Sequence, residues 1–251
     1  MNTKISALAI TYNEEDHIEN YIQQLSFADE IIIVDSFSTD KTVELAKKYN
    51  VTLIQRKFDD FSKQKNFAID QANNDWIVFF DLDEEVPKAL ADEIISTVNL
   101  ANPEKAYRVK RDFHFMGKRM KYSGFQTDIS VRLFHKNYCR YNGKPVHETI
   151  ETTENIGLLE HAVAHQTYKN FDNYNQKLSH YSRLQAEALY KKNVRPNVYH
   201  FIFRPFYRFI HQYFLRFGFL DGKEGFILCY VHAFSVFKRY LQLWTMYRKI
   251  D

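Results

Sequence analysis

Glycine and cysteine are scarce in this sequence, with 7 and 2 of its 251 residues respectively. Cys139 and Cys229 stand far apart and offer neither metal-ligand spacing nor a disulfide framework. So little glycine argues against a glycine-rich phosphate loop, and neither G-x-x-x-x-G-K nor G-x-G-x-x-G occurs. No uninterrupted apolar run reaches the ~18–20 residues that a membrane span needs. Met1–Asn13 carries one lysine and runs straight into a strand pattern, so no signal peptide is expected and a cytoplasmic location is. A formal net charge of +3 is too small to argue nucleic acid as a partner, and no nucleic acid is expected. What is present suits a folded enzyme-sized domain. A composition 45% hydrophobic and 26% charged supplies a sizeable core and argues against disorder. The length fits one large α/β domain or a domain with an appendage.

The first part alternates strand and helix signals. "ISALAITYN" is a short apolar run ending at Asn13, a candidate helix cap followed by Glu14, Glu15 and Asp16. Ile18, Tyr21, Ile22 and Leu25 then follow helical spacing. "EIIIVD" and "VTLIQR" read as strands two and three, with the helix "STDKTVELAKKYN" between them, capped by a residue such as Asp40. "DFSKQKNFAIDQANND" places Phe61, Ala68, Ile69 and Ala72 on one helical side, and "DWIVFFD" is the fourth strand. Four βα steps with strands apolar throughout predict a parallel sheet covered on both faces. Further on, a helix is expected over 87–100, a hairpin over 106–122, more strands over 128–151, and a long amphipathic helix over 171–192.

Ligands of open parallel sheets sit beyond the carboxyl ends of the strands. Strand one ends in Thr11, Tyr12, Asn13, Glu14; strand two in Asp35, Ser36; strand four in Asp81, Leu82, Asp83. All three ends fall on one sheet edge. Asp35 has a bland alternative in satisfying loop amides. On an extended chain Asp81 and Asp83 point to the same side, where two carboxylates repel unless a cation joins them. Mg2+ or Mn2+ bound by few carboxylates completes its shell with water and phosphate oxygens, which fits a nucleotide diphosphate. Glu84 and Glu85 are expected to start the next helix or face solvent. An Asp-x-Asp phosphatase of the haloacid dehalogenase type would carry the motif after the first strand, not the fourth.

"AITYNEEDHIENYI", "EIIIVDSFSTDKTVELAKKY", "KQKNFAIDQA" and "DWIVFFDLDEEV" together resemble family 2 glycosyltransferases of the GT-A fold. "TDISVRLFHK", "KPVHETI", "HQTYKNFDNYNQKLSHYS" and "GFLDGKEGFI" extend the likeness to the lipopolysaccharide core β-glucosyltransferase-like branch. The resemblance implies a Rossmann-like nucleotide-sugar-binding sheet flanked by helices. It also implies an inverting, metal-dependent transfer of a hexose from a nucleotide sugar, UDP-linked by expectation, to a hydroxyl of a lipid-linked saccharide. Residue by residue it puts Thr11, Asn13, Glu14, Asp35 and Ser36 at the nucleoside. Lys65 and Asn66 fall near the base or diphosphate, Asp81 at the ribose and metal, and Asp83 at the metal. An inverting transfer also needs a general base. Glu148 is preferred and Asp128 is the alternative; Asp128 is otherwise expected to pair with Arg132 at i+4 or orient the acceptor loop. His147, His161 and His165 have structural roles as their default reading, and His165 is a further candidate for the metal or a phosphate. Lys63 reads as a solvated helix charge.

From Arg195 to Leu220 the chain has four arginines (Arg195, Arg204, Arg208, Arg216) and no acid, and about half of Tyr199–Phe219 is aromatic. This gives a two-part expectation: a catalytic domain over 1–192 and a helical, basic-aromatic extension over 193–251. The extension either packs its aromatics on the domain or meets the inner face of the cytoplasmic membrane, two roles that are compatible. Two other functions remain open from sequence. A sugar-1-phosphate nucleotidyltransferase would need a Gly-rich, Arg-containing loop after strand one, which "TYNEEDH" does not offer. A non-catalytic nucleotide- or saccharide-binding module would be indifferent to loss of Glu148.

Overall fold

A computed structural model describes residues 3–125, 128–144, 148–165 and 171–250. The chain forms two compact units, one comprising Met1–Arg111 with Asp128–His165 and the other Asp112–Thr127 with Gln166–Asp251. The position 192/193, where the sequence suggested a boundary, lies inside the second unit.

The first unit is mixed α/β. It runs β1 (Ile5–Thr11), α1 (Ile18–Gln24), β2 (Glu30–Asp35), α2 (Thr42–Ala46), β3 (Thr52–Gln55), α3 (Phe61–Gln71), β4 (Trp76–Phe79), β5 (Glu84–Glu85) and α4 (Lys88–Val98). β6 (Ala106–Phe115) leads out of it through β7 (Lys118–Arg119), and β8 (Ile129–His135), β9 (Arg140–Tyr141), β10 (Ile150–Glu151) and β11 (Ile156–His165) return. The sheet order is β3-β2-β1-β4-β8-β6-β11-β5, with β9 and β10 forming a separate ribbon. β1 to β4 are mutually parallel, as their apolar runs predict, and β8 adds to β4 antiparallel; β3, at the sheet edge, is only partly buried. Chain order runs outward from β1 through β2 and β3, then resumes with β4 on the other side of β1. That reversal opens a crevice at the strands' carboxyl ends. The pairing of Thr11 with Asp35 brings the ends of β1 and β2 level.

Two apolar layers cover the sheet. One face packs Ile18 and Tyr21 of α1, Leu25 just after it, and Leu90 and Ile94 of α4 against Ile33, Val78 and Val109. The other packs Ala68, Ile69 and the loop residue Ala72 against Ile32, Ile77 and Phe134. The sequence reading had no strand over 156–165. In β11 Leu159 and Val163 face inward, but Leu158 and the Ala162–Ala164 run blur the two-residue period that marks a strand. Asn13 does not cap α1. It sits at φ 57°, and its Oδ1 instead accepts from the Thr39 amide at 2.8 Å, so the β1 end is tied to the loop before α2. α1 starts later, at Ile18.

The second unit is helical around a hairpin. Met116 and Gly117, both at positive φ, form the two-residue turn between β6 and β7. α5 (Phe171–Lys191) packs on α7 (Gly222–Arg248). Between them runs a continuous helical stretch, with π-turns at Tyr199–Phe203 and His211–Leu215 on either side of α6 (Arg204–Ile210). Gly225 is needed for close approach: a Cβ there would lie 2.0 Å from the Gly218 carbonyl. None of the described helices is long and apolar enough to cross a membrane.

His232 of α7 touches the Tyr174 hydroxyl through Nε2 at 2.5 Å and the Gln212 side chain through Nδ1 at 3.1 Å, with Phe125 beside its ring. Burial first and the Arg208 charge second push its pKa down to about 3. The unfolded chain therefore takes up a proton near pH ~6.5 that the native state refuses. This contribution to stability is full above that pH and is lost as pH falls toward the native value. We expect the thermal midpoint to fall between pH ~7 and ~4, with His232 supplying on the order of 1–3 kcal/mol of the loss. His232→Gln should flatten that slope in a pH series of thermal melts; an unchanged slope would remove His232 as its source.

Candidate active site

The carboxyl ends of β1, β2 and β4 border a cavity of about 410 Å³. Thr11, Tyr12 and Glu14 line it from β1, Ser36 from β2, and Asp81, Leu82 and Asp83 from the turn after β4. Lys65 of α3 and Glu148, just before β10, complete the polar wall. The Thr11 hydroxyl is buried and has no hydrogen-bond partner among the described residues, an orphan of the kind a ligand satisfies. The rim carries three exposed aromatics, Tyr12, Phe58 and Phe61, with the two Phe rings edge-to-face at 5.0 Å. Sequence reasoning placed Tyr12 at the end of strand one but did not single out Phe58 or Phe61 for the site. Phe61 shares the helical period of Ala68 and Ile69, which are buried, yet it lies at the first turn of α3, where that face has left the sheet.

Asp81, Leu82 and Asp83 do not extend β4, contrary to the alternation argument. They form a tight turn in which the Glu84 amide donates to the Asp81 carbonyl at 3.0 Å and the Asp81 amide to Glu84 Oε2 at 2.9 Å. The turn still delivers both aspartates to the cavity, and it carries Glu84 inward. Glu84 is completely buried, where sequence suggested helix start or solvent, and only Glu85 is exposed. Arg132 of β8 bridges the turn, with Nη2 2.6 Å from Asp81 and 2.5 Å from Glu84. Arg111 of β6 approaches Glu84 at 3.0 Å.

Burial alone would raise the Asp81 carboxyl, but Arg132, Lys65 and Arg111 outweigh it and hold it well below the usual carboxylate range. Glu84 moves the other way: burial raises it, the Asp81 charge adds to that, and Arg132 and Arg111 only partly offset both. The expected pair of Asp128 with Arg132 does not form. Spacing of i+4 brings side chains together on a helix, whereas on a strand it separates them by about 13 Å. Asp128 instead lies 3.7 Å from Arg111.

Lys65 is almost fully buried; its ammonium lies 2.7 Å from Glu148 and 3.9 Å from Asp81, with the Phe79 and Tyr141 rings nearby. Glu148 and Lys65 also line a second cavity of about 330 Å³, walled by Arg108, Arg111 and Tyr141. Glu148 thus stands where two cavities meet. Asn66, grouped with Lys65 by sequence, is used elsewhere: its amide group donates to the Tyr141 carbonyl and accepts from the Tyr141 amide, pinning α3 to β9. Asp35 is off the cavity as well. It is fully buried, and its carboxylate accepts from the Ser38 amide at 3.0 Å and the Gln55 side chain at 3.1 Å. Lys63 is exposed and pairs with Asp60, as a solvated helix charge should. His161 is bound by Glu93 of α4 at 2.8 Å and lines neither cavity. His147 and the His165 side chain lie outside the described residues.

Among the described residues no group of three or more His, Cys, Asp or Glu is placed to hold a metal ion. Of the four carboxylates on the cavity wall, Glu14, Asp81, Asp83 and Glu148, only Asp81 and Asp83 share one turn, and two carboxylates are a sparse set. Such a set suits Mg2+ or Mn2+ only when phosphate oxygens and water supply the remaining positions.

The sequence profile of "Glycosyl transferase family 2" matches residues 6–142, which contain every strand end that borders the cavity. The chain belongs to this family. It is a glycosyltransferase of the GT-A fold with a helical C-terminal part. The glycosyltransferase is 29% identical over 255 residues to an "Uncharacterized glycosyltransferase" of Rickettsia bellii, covering 97% of this chain and 87% of that one. It is 27% identical over 250 residues to the "Lipopolysaccharide core biosynthesis glycosyltransferase LpsC" of Rhizobium meliloti, covering 94% and 93%. Among solved structures, TarS of S. aureus superposes with a TM-score of 0.49 at 17% identity, over 88% of this chain and 46% of that one.

Proposed function

We propose that this glycosyltransferase moves a hexose from a UDP-sugar to a hydroxyl of a lipid-linked saccharide of the lipopolysaccharide core class, with inversion at the transferred carbon. The observation that carries the reading is the convergence of Thr11, Glu14, Ser36, Lys65, Asp81, Asp83 and Glu148 on one cavity at the sheet's switch point. The acceptor class rests on the end-to-end likeness to LpsC.

Tyr12, Phe58 and Phe61 offer faces for the base, and Thr11, Glu14 and Ser36 offer polar contacts for the nucleoside. Asp35 is a positioning residue that holds the loop carrying Ser36. Asp83, with Asp81, would hold a divalent cation, whose chemistry is to neutralise the departing diphosphate. Lys65 adds a fixed positive charge beside them. Glu148 accepts the proton of the acceptor hydroxyl as its oxygen bonds to the sugar carbon and the bond to the diphosphate breaks on the opposite face. The second cavity, on the other side of Glu148, is where the acceptor enters.

Exposed Ile202, Phe203, Phe206, Tyr207, Phe214 and Leu215 support contact of the helical unit with the inner membrane face, where such an acceptor resides. The donor is tested by thermal shift with UDP-, GDP- and dTDP-sugars, each with and without Mn2+, since a ligand of the native state raises its apparent stability. Asp83→Asn should lower transfer by roughly 10²–10³-fold and abolish the Mn2+-dependent part of the UDP shift. Full activity in EDTA, or in Asp83→Asn, would remove the cation from the reaction.

A further inference from the structure

Among the described residues, the helical unit gathers basic side chains around a cavity that no Asp or Glu lines. α6 carries Arg204, Arg208 and, one residue beyond its end, His211, at i, i+4 and i+7 along one face. α7 carries His232 and Arg239 seven residues apart, again on one face. These two faces meet. Arg208 and His232 face one space, whose lining includes neither Arg204 nor Arg239. Between them is a cavity of about 270 Å³ lined by Arg208, His211, Gln212, Arg216, His232 and the Ser123–Phe125 turn, with no Asp or Glu among its lining residues.

Its floor is built and rigid. The Gln212 side chain donates to the Ser123 carbonyl at 3.2 Å and meets His232 Nδ1 at 3.1 Å, and His232 Nε2 is held by Tyr174. Arg208 and Arg216 are exposed, so a ligand can reach both from solvent. Guanidinium groups gathered without a counter-charge are stabilised when an anion joins them, and their planar forks match phosphate oxygens.

We propose that the cavity between α6 and α7 binds a phosphate ester. The exposed apolar side chains along the same helical stretch, Phe203, Phe206, Tyr207, Phe214 and Phe217, favour an ester carried by a membrane lipid. The site is independent of the donor cavity and of the transfer reading.

The test is sedimentation of the full chain with phosphatidylcholine vesicles, with and without phosphatidylglycerol, alongside thermal melts in inorganic phosphate and in glycerol 3-phosphate. The wild type should bind the phosphatidylglycerol vesicles, and Arg208→Gln/Arg216→Gln, which removes both arginines of the cavity wall, should weaken that binding at least about tenfold. With no ligand present, the double variant should melt at about the wild-type temperature or higher, because both side chains are exposed and neither forms an ion pair among the described residues. A rise in the wild-type midpoint with soluble phosphate or glycerol 3-phosphate, lost in the double variant, supports the phosphate site and assigns it to a soluble ester. Three results overturn the proposal: no response to any phosphate-bearing probe, equal vesicle binding by the double variant, or a clear drop in its ligand-free midpoint.

Discussion

Glu148→Gln lowers kcat by roughly 10²–10⁴-fold while leaving the KM for the donor near its wild-type value. The expectation comes from where the carboxylate stands. It lines both the donor-side cavity and the second cavity, so an acceptor hydroxyl entering from one side and a sugar carbon on the other would meet beside it. Glutamine keeps the shape and can still place an oxygen near Lys65, which now lies at 2.7 Å. It cannot take a proton. The loss therefore falls on the transition state, at about 3–5 kcal/mol, rather than on donor binding. Steady-state kinetics with donor and acceptor varied separately checks the split. A parallel rise in donor KM would mean that the residue shapes the nucleotide pocket, and a full rate would pass the role to another acid. Asp128 is poorly placed to inherit it, since it lines neither cavity and is drawn toward Arg111.

Much of this geometry was legible in the sequence because the features involved are local. A strand of Ile, Val and Phe that stops at a polar residue marks its own carboxyl end, and parallel neighbours put such ends on one edge. That logic brings Thr11, Glu14, Ser36, Asp81 and Asp83 together without any knowledge of packing. It stops where a residue's role depends on a partner distant in sequence. Glu84 and Glu85 are adjacent and chemically alike. The turn sends one onto Arg132 and Arg111 and leaves the other in water, and those arginines arrive on β8 and β6. Asn66 and Lys65 are likewise neighbours on α3, yet one faces the Tyr141 backbone and the other the cavity, because β9 covers only part of the helix. Asp35 illustrates a third limit. A strand-end carboxylate can address a ligand or its own loop, and here Ser38 and Gln55 claim it. Phe58 and Phe61 of the rim were hidden by composition: in a chain with 22 Phe and 17 Tyr, exposed rings do not stand out from buried ones.

Arg132→Met should be the most destabilising single change near the site. The guanidinium is buried, spans Asp81 and Glu84, and donates to the Phe79 carbonyl at 3.3 Å, so one side chain fixes the end of β4 and both acids of the turn. Methionine fills similar space but leaves a fully buried Glu84 with only Arg111 to balance it and Asp81 with Lys65 at 3.9 Å. Removing one partner of a buried charge pair costs about 3–5 kcal/mol, chiefly because the other charge is stranded. For a chain of this size that corresponds to a thermal midpoint lower by roughly 6–20 °C. If the stranded charge is the cause, Arg132→Met/Glu84→Gln should recover much of the loss, since a neutral amide costs far less to bury than an unpaired carboxylate. A double variant no more stable than Arg132→Met would instead assign the loss to packing around β8. Donor binding should follow the same order, because the turn that carries Asp83 is held from within by Arg132.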